Sequence, residues 1–192
     1  NIKIEQKVHL NRKLLNSGAD IKEINTVRKH LSKIKGGNLL KMSFPAKVHS
    51  FILSDVIGDD LSSISSGPTV PDETSFNDVK KILIKYNLWN DIHKSIKAHI
   101  ELGIFDKSLE TPDKTNKVFL NVENTLIGSN NLCLKSIDTL CKKKNINSKI
   151  WKTNIEGDVQ VIAKNFVRDL EKKNYKKPII LISGGESTVK IK

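Results

Sequence analysis

INSKIWKTNIEGDVQVIAKNFVRDLEKKNYKKPIILI, residues 146–182, decides the fold class. Ile146 to Thr153 reads as a strand. From Asp158 to Lys173, Val159, Ile162, Ala163, Phe166, Val167 and Leu170 recur at i, i+3, i+4, i+7, i+8 and i+11, the apolar stripe of a helix. Pro178 leads into Ile179-Ile180-Leu181-Ile182, a short apolar run closed by glycine. Such a run suits a strand buried on both faces of a parallel sheet. Strand, helix and strand in that order imply an α/β class, with helices covering the sheet. Thr188 to Lys192 reads as a last strand.

The same alternation extends upstream. Residues 117–122, reaching toward Ile127, read as a strand, and Ser129 caps a helix with Cys133, Ile137, Leu140 and Cys141 inward. Gly103 to Asn116 carries Gly, Pro, Asp and Thr and reads as a linker. Before it, Ser75 with Asp78 at N3 opens a helix, and a further helix is expected from Asn90 to Leu102. Val48 to Leu53 is an apolar run broken only by His49 and Ser50 and reads as a buried strand. A first helix is expected over 5–17, stopped by Gly18. Asp20 with Glu23 is a capping box. It opens a helix whose apolar stripe is Ile21, Ile24, Val27, Leu31 and Ile34, closed by Gly36-Gly37.

Composition narrows the function classes. The 192 residues hold 38% hydrophobics, enough for a core. No run of 18 apolar residues is present, so no membrane-spanning helix is expected, nor is a signal-peptide hydrophobic region. Cys133 and Cys141 lie eight apart on one expected helix, roughly 12 Å along its axis. That is too far for a disulfide, and buried thiols in a cytoplasmic protein are expected. The net charge of +12 comes from scattered lysines, and aromatics are 5%. Without basic–aromatic interleaving, nucleic acid is not the expected partner.

Four stretches could carry chemistry. In SDVIGDD, 54–60, Asp55 follows a strand end, where α/β sheets bind ligands. Ser54 and Asp55 are candidates there, Asp55 to orient or deprotonate a substrate hydroxyl. Asp59 and Asp60 could hold Mg²⁺ through water. Alternatively, Asp59 caps a short helix over Asp60–Ser65. In Ser65-Ser66-Gly67-Pro68-Thr69, Ser66, Gly67 and Thr69 could cradle a phosphate, though Ser-Gly-Pro is also ordinary turn chemistry. On a helical wheel, Asn25, Arg28, Ser32 and Lys35 form a polar stripe beside the apolar face, as an anion site would require. His30 falls on the opposite, solvated face and has no role. Ser183-Gly184-Gly185-Glu186 could approach a phosphate closely or form a hairpin onto Val189. No P-loop, GxGxxG, CxxC, HExxH or GxSxG pattern occurs.

SGAD at 17–20, NTVRKHLSKIKGG at 25–37, SDVIGDD at 54–60, SSGPTVPD at 65–72, ETPDK at 110–114, EGD at 156–158 and LISGGESTV at 181–189 occur in that order. Together they resemble the glycerate 2-kinases of the MOFRL family, the class II glycerate kinases. The resemblance implies ATP-dependent phosphorylation of D-glycerate at its 2-hydroxyl, with Mg²⁺. It implies a Rossmann-like parallel sheet covered by helices, followed by a smaller α/β domain, with the active site in a cleft between them. Here that corresponds to 1–103, a linker over 104–116, and part of the second domain over 117–192. Onto this chain the resemblance carries Asp55 as the acid of the SDV motif. It carries Arg28, Lys29 and Lys35 as the basic residues, and Ser183, Gly184, Gly185 and Glu186 as the second-domain motif. Such relatives begin with a lysine-bearing segment and continue past the GGEST strand. A central fragment, inactive alone, is the expectation. A kinase for another small hydroxy acid, or a non-catalytic anion- or nucleotide-binding piece, are the alternatives.

Overall fold

The computed structural model describes residues 2–189. Two compact units make up the chain, residues 1–51 with 60–125, and residues 52–59 with 126–192.

The first unit is built on helices. They are α1 (Ile4–Asn16), α2 (Ile21–His30), α3 (Asn38–Ser43), α4 (Phe76–Lys85) and α5 (Lys94–Phe105). Helices α2, α4 and α5 start where a side chain satisfies a free N–H group. Asp20 accepts from Glu23 N at 2.9 Å while Glu23 accepts from Asp20 N at 3.1 Å. Ser75 and Asp78 make the same reciprocal box. Leu10, Leu14, Ile24, Val27, Leu31, Phe76, Val79, Leu83, Ile96 and Ile100 then close one apolar core. Segment 104–116, read as a linker, carries the end of α5 and a 3₁₀ turn (Lys107–Leu109), and buries Thr111.

Several boundaries move for identifiable reasons. The helix expected to run to Ile34 stops at His30. Ser32 Oγ accepts from the N–H groups of both Ile34 and Lys35 at 3.3 Å, capturing donors that a continuing helix would need. Ile21 and Ile34, placed on the apolar stripe, are 60% and 48% exposed. The fifth helix begins at Lys94, because His93 Nδ1 accepts from Ser95 N and caps it. Residues 117–121 form a 3₁₀ turn capped by Asn116, and the strand starts only at Val122.

Strands β1 (Val48–Leu53) and β2 (Val122–Gly128) pair in a two-stranded sheet. β1 is not the buried strand expected: its residues alternate half-buried and exposed, with Phe51 70% and Leu53 73% exposed.

The second unit holds α6 (Asn130–Lys143), β3 (Ser148–Asp158), α7 (Val159–Lys172) and β4 (Ile180–Thr188). β3 and β4 run parallel, Ser148 opposite Ile180 and Asp158 opposite Thr188, and both helices pack on them. The parallel strands and covering helices expected from 146–182 are therefore present, with Asp158 capping α7 through Gln160 N at 2.9 Å. Burial is shallower than expected: Ile182 is buried, but Ile180 is 41% exposed. On α6, Leu134 and Cys141 are buried, whereas Cys133, Ile137 and Leu140 are exposed. β4 continues unbroken through Gly184-Gly185, so no hairpin forms onto Val189. The strand expected over Thr188–Lys192 lies mostly outside the described residues; Thr188 ends β4.

Candidate functional site

The second unit contains an acidic hollow of about 220 Å³. Asp55 and Asp59 line it from the 52–59 loop, Gly185 and Glu186 from β4, and Asn130 and Asn131 from the start of α6. Sequence reasoning anticipated the first four. It missed the asparagines, whose only signal was their position just after the Ser129 cap. Ser54 is buried and serves the loop itself, its Oγ bonded to Val56 O at 3.2 Å and its N–H to Gly128 O at 2.9 Å.

The paired glycines have a packing reason. Gly185 has φ +142°, and a Cβ there would lie 2.2 Å from Ile155 N. A Cβ on Gly184 would lie 1.9 Å from Asn130 Oδ1. The glycines therefore let β4 close on β3 and on α6, and that approach brings Glu186 into the hollow with Asp55. Ser183 is exposed on the same strand.

In the first unit the predicted polar stripe divides. Asn25 and Lys29 line a polar hollow of about 520 Å³ with Asp60, Ser62, Ser63 and Asp72. Arg28, Ser32 and Lys35 line a different groove. The Lys35 amine donates to Ser65 O. Burial, then the Arg28 charge nearby, lower its pKa. Neither Arg28 nor Lys35 has a carboxylate partner among the described residues, whereas Lys29 does. Its amine meets Asp72 Oδ1 at 3.2 Å, with side chains 8% and 0% exposed.

Asp72 is the centre of a buried network. It accepts from Thr74 N at 3.1 Å, Thr74 Oγ1 at 2.8 Å and Thr111 Oγ1 at 3.1 Å, besides Lys29. His30, expected on a solvated face, is 3% exposed; its Nδ1 lies 2.9 Å from Thr26 O and its Nε2 3.2 Å from Glu110. The signal was present in VPD at 70–72 and ETPDK at 110–114, motifs to which no role had been given.

The Ser65–Thr69 loop has little left to offer a phosphate. Ser65, Ser66 and Gly67 are all left-handed, at φ 51°, 59° and 61°. Ser66 N and Gly67 N bond to Ser63 O and Ile64 O. Ser66 Oγ donates to Asn25 Oδ1 at 3.1 Å, and Thr69 Oγ1 to Asn124 Oδ1 at 2.6 Å. The loop is laced to the KGG turn through Gly36 N–Ser66 O at 3.0 Å and Gly37 N–Gly67 O at 2.8 Å. Gly37 has φ +78°, and a Cβ there would meet Val70 O and Pro112 at 2.9 Å.

Asp59 lines the hollow of the second unit and Asp60 the polar hollow of the first. The helix expected over Asp60–Ser65 is reduced to a 3₁₀ turn, Ile64–Ser66, and ahead of it Asp60 accepts from Ser62 N, Ser62 Oγ and Ser63 Oγ. Burial pushes its carboxyl up, but those hydrogen bonds and the Lys29 charge outweigh it, and the net pKa is lowered. Among the described residues no group of three or more His, Cys, Asp or Glu could cage a metal ion. Mg²⁺ carried on phosphates needs only one or two protein carboxylates, and Asp55, Asp59 or Glu186 fit that lesser demand.

Residues 1–101 match the family described as a domain of unknown function, DUF4147. The chain belongs to that family. It is 40% identical over 183 residues to a "Glycerate 2-kinase" of Pyrococcus horikoshii, covering 93% of this chain and 41% of the relative. It is 39% identical over 197 residues to a "D-glycerate 2-kinase" of Thermotoga maritima, covering 100% and 44%. A crystal structure of a glycerate kinase from Thermotoga maritima superposes with TM-score 0.84 at 38% identity, over 100% of this chain and 44% of that one. The resemblance read from the motifs is thus to the same proteins. The DUF4147 chain spans less than half the length of the relatives it matches.

Proposed function

We propose that this DUF4147 protein takes part in ATP-dependent phosphorylation of D-glycerate at its 2-hydroxyl. The observation that carries the reading is the convergence of Asp55 and Glu186, from two of the family-like motifs, on one hollow. Phosphoryl transfer asks a protein for placement and charge neutralisation rather than covalent chemistry. Asp55, exposed at the end of β1, would accept or orient the glycerate hydroxyl proton. Within the first unit, Arg28 and Lys35, two cations without carboxylate partners among the described residues, would offer positive charge to an anion. Asn25, Lys29, Ser32, Ser66, Gly67 and Thr69 act one step back, holding the loops in place. Mg²⁺, when bound with ATP, supplies further neutralisation of phosphate charge. No helix of the described residues is long and apolar enough to cross a membrane, and both thiols are free. The cytoplasm is the setting we propose.

The test replaces the matching segment of the Thermotoga maritima relative with these 192 residues and follows 2-phosphoglycerate formation. Product from the chimera, falling by about 10²–10⁴ on Asp55→Asn, is the expected result for an acid–base group. A folded chimera that makes no product defeats the reading for this chain. A loss below about tenfold on Asp55→Asn removes Asp55 from the base role alone.

A further inference from the structure

The positive charge of the chain is not spread evenly. Residues 142–177 hold ten lysines and one arginine against four acids, more than half of the net +12. The fold gathers most of them. α6 leads into β3, α7 leads into β4, and the two strands run parallel. The α6–β3 turn and the α7–β4 turn therefore share one edge of the second unit. Asn147 Nδ2 donates to Lys176 O at 2.8 Å, and Ile180 N to Asn147 O at 2.9 Å, which ties the two turns together. Lys149 Nζ lies 5.7 Å from the centre of the Tyr175 ring across the same seam.

Lys142 to Lys144 and Lys149 stand on the first turn, and Lys172, Lys173, Lys176 and Lys177 on the second, all exposed. Among the described residues only Lys142 of this set has a carboxylate partner, Asp138 at 2.6 Å. Cations near a helix C-terminus favour its dipole, which accounts for Lys142, Lys143 and Lys172 in the last turns of α6 and α7. It does not account for the other five, whose mutual repulsion the fold must carry.

The chemistry of this edge fits a bilayer better than a nucleic acid. Lysine is a point charge on a flexible stem, suited to a diffuse field of headgroups. The fork and the ring that could read a nucleic acid are already engaged. Arg168 donates to Asn165 Oδ1 at 2.8 Å, while Trp151 packs edge-on against Phe166 and donates from Nε1 to Asp169 Oδ2 at 3.1 Å. Beside the lysines, Ile146 and Ile180 are 40% and 41% exposed. A headgroup–acyl boundary accepts such side chains; a phosphate backbone offers them nothing.

We propose that this edge of the second unit docks the protein on the surface of an anionic bilayer. The lysines meet the headgroups and Ile146 dips toward the acyl boundary. Glu186 lies further along β4 than Ile180 by roughly 20 Å at 3.3 Å per residue. The acidic hollow, whose carboxylates anionic lipid would repel, is thus held clear of the surface.

The experiment sediments the purified protein with vesicles of phosphatidylcholine alone, and of phosphatidylcholine and phosphatidylserine at about 2:1. Binding is expected to the anionic vesicles only, and to weaken steeply as salt shortens the reach of the lysines. Changing Lys172, Lys173, Lys176 and Lys177 together to Glu should weaken it about a hundredfold or more. The same four-residue change at Lys22, Lys33, Lys47 and Lys94, exposed lysines of the first unit, should weaken it far less. Ile146→Asn leaves every charge in place and should still weaken binding about fivefold. Circular dichroism checks the fold of each variant, and the salt titration and Ile146→Asn stand independently of the fourfold variants. The proposal is overturned if the unaltered protein does not prefer anionic vesicles, or if the first-unit variant loses as much as the edge variant. It is also overturned if Ile146→Asn binds as before, or if a short DNA duplex binds the edge more tightly than the vesicles do.

Discussion

Asp72→Ala should cost the first unit most of its margin of stability. The substitution leaves the Lys29 ammonium, whose side chain is 8% exposed, without its ion-pair partner. It also removes the acceptor from Thr74 N–H, Thr74 Oγ1 and Thr111 Oγ1. Breaking a buried pair from one side costs about 3–5 kcal/mol, and the three additional orphaned donors favour the upper half. With a urea m-value of about 1.5 kcal/mol/M, the midpoint should fall by about 2–3 M. Trp89 lies in the first unit and Trp151 in the second, so Trp151→Phe leaves a fluorescence probe of the first unit alone. Removing both charges at once, Lys29→Met with Asp72→Leu, should recover most of the loss, because the penalty comes from the stranded charge rather than from the missing attraction. A midpoint shift below about 0.5 M for Asp72→Ala, or a double variant worse than the single, would refute the reasoning.

Three further outcomes are expected. Glu23 accepts from Lys85 Nζ and Tyr86 Oη, each at 2.6 Å, and these bonds hold its pKa down to about 2 against an ordinary 4.5. The group binds its proton more weakly when folded, so its contribution is complete above pH 4.5 and is lost as the pH falls toward 2. Glu23→Gln should flatten that part of an acid-unfolding curve. Gly185→Val should destabilise the second unit by about 3 kcal/mol or more, read at Trp151, because φ +142° is hostile to a side chain and the Ile155 backbone fills the space. Asn11→Leu should raise the thermal midpoint by removing an unpaired buried oxygen worth about 1–3 kcal/mol; a lowered midpoint would mean that the amide has a partner after all.

What could be read from residue order was what local chemistry dictates. The Asp20–Glu23 and Ser75–Asp78 boxes and the period of Val159–Leu170 each act within a few residues, and each reappears in the fold. Asp55 and Glu186 were singled out for their neighbours in the chain and do share a hollow. The failures came from competition at longer range. A helical wheel assumes that the helix continues, whereas Ser32 ends it by taking two backbone donors. His30 looked solvated because nothing in its own helix says that Glu110, 80 residues on, returns to meet it. Ser66 and Thr69 looked free because their partners, Asn25 and Asn124, lie far off in sequence. A hydroxyl in a turn motif advertises a ligand site only until its hydrogen bonds are counted.

The division of the chain bears on the order in which it can fold. Within these 192 residues, 60–125 are the last-made part of the first unit. The second unit is different. Its 52–59 segment, carrying Asp55, is synthesised long before the β3–α7–β4 crossover against which it must settle. During synthesis at about 5–20 residues per second, that loop therefore waits several seconds for its setting. The residue proposed to do the chemistry is made well before β4 and placed only after it.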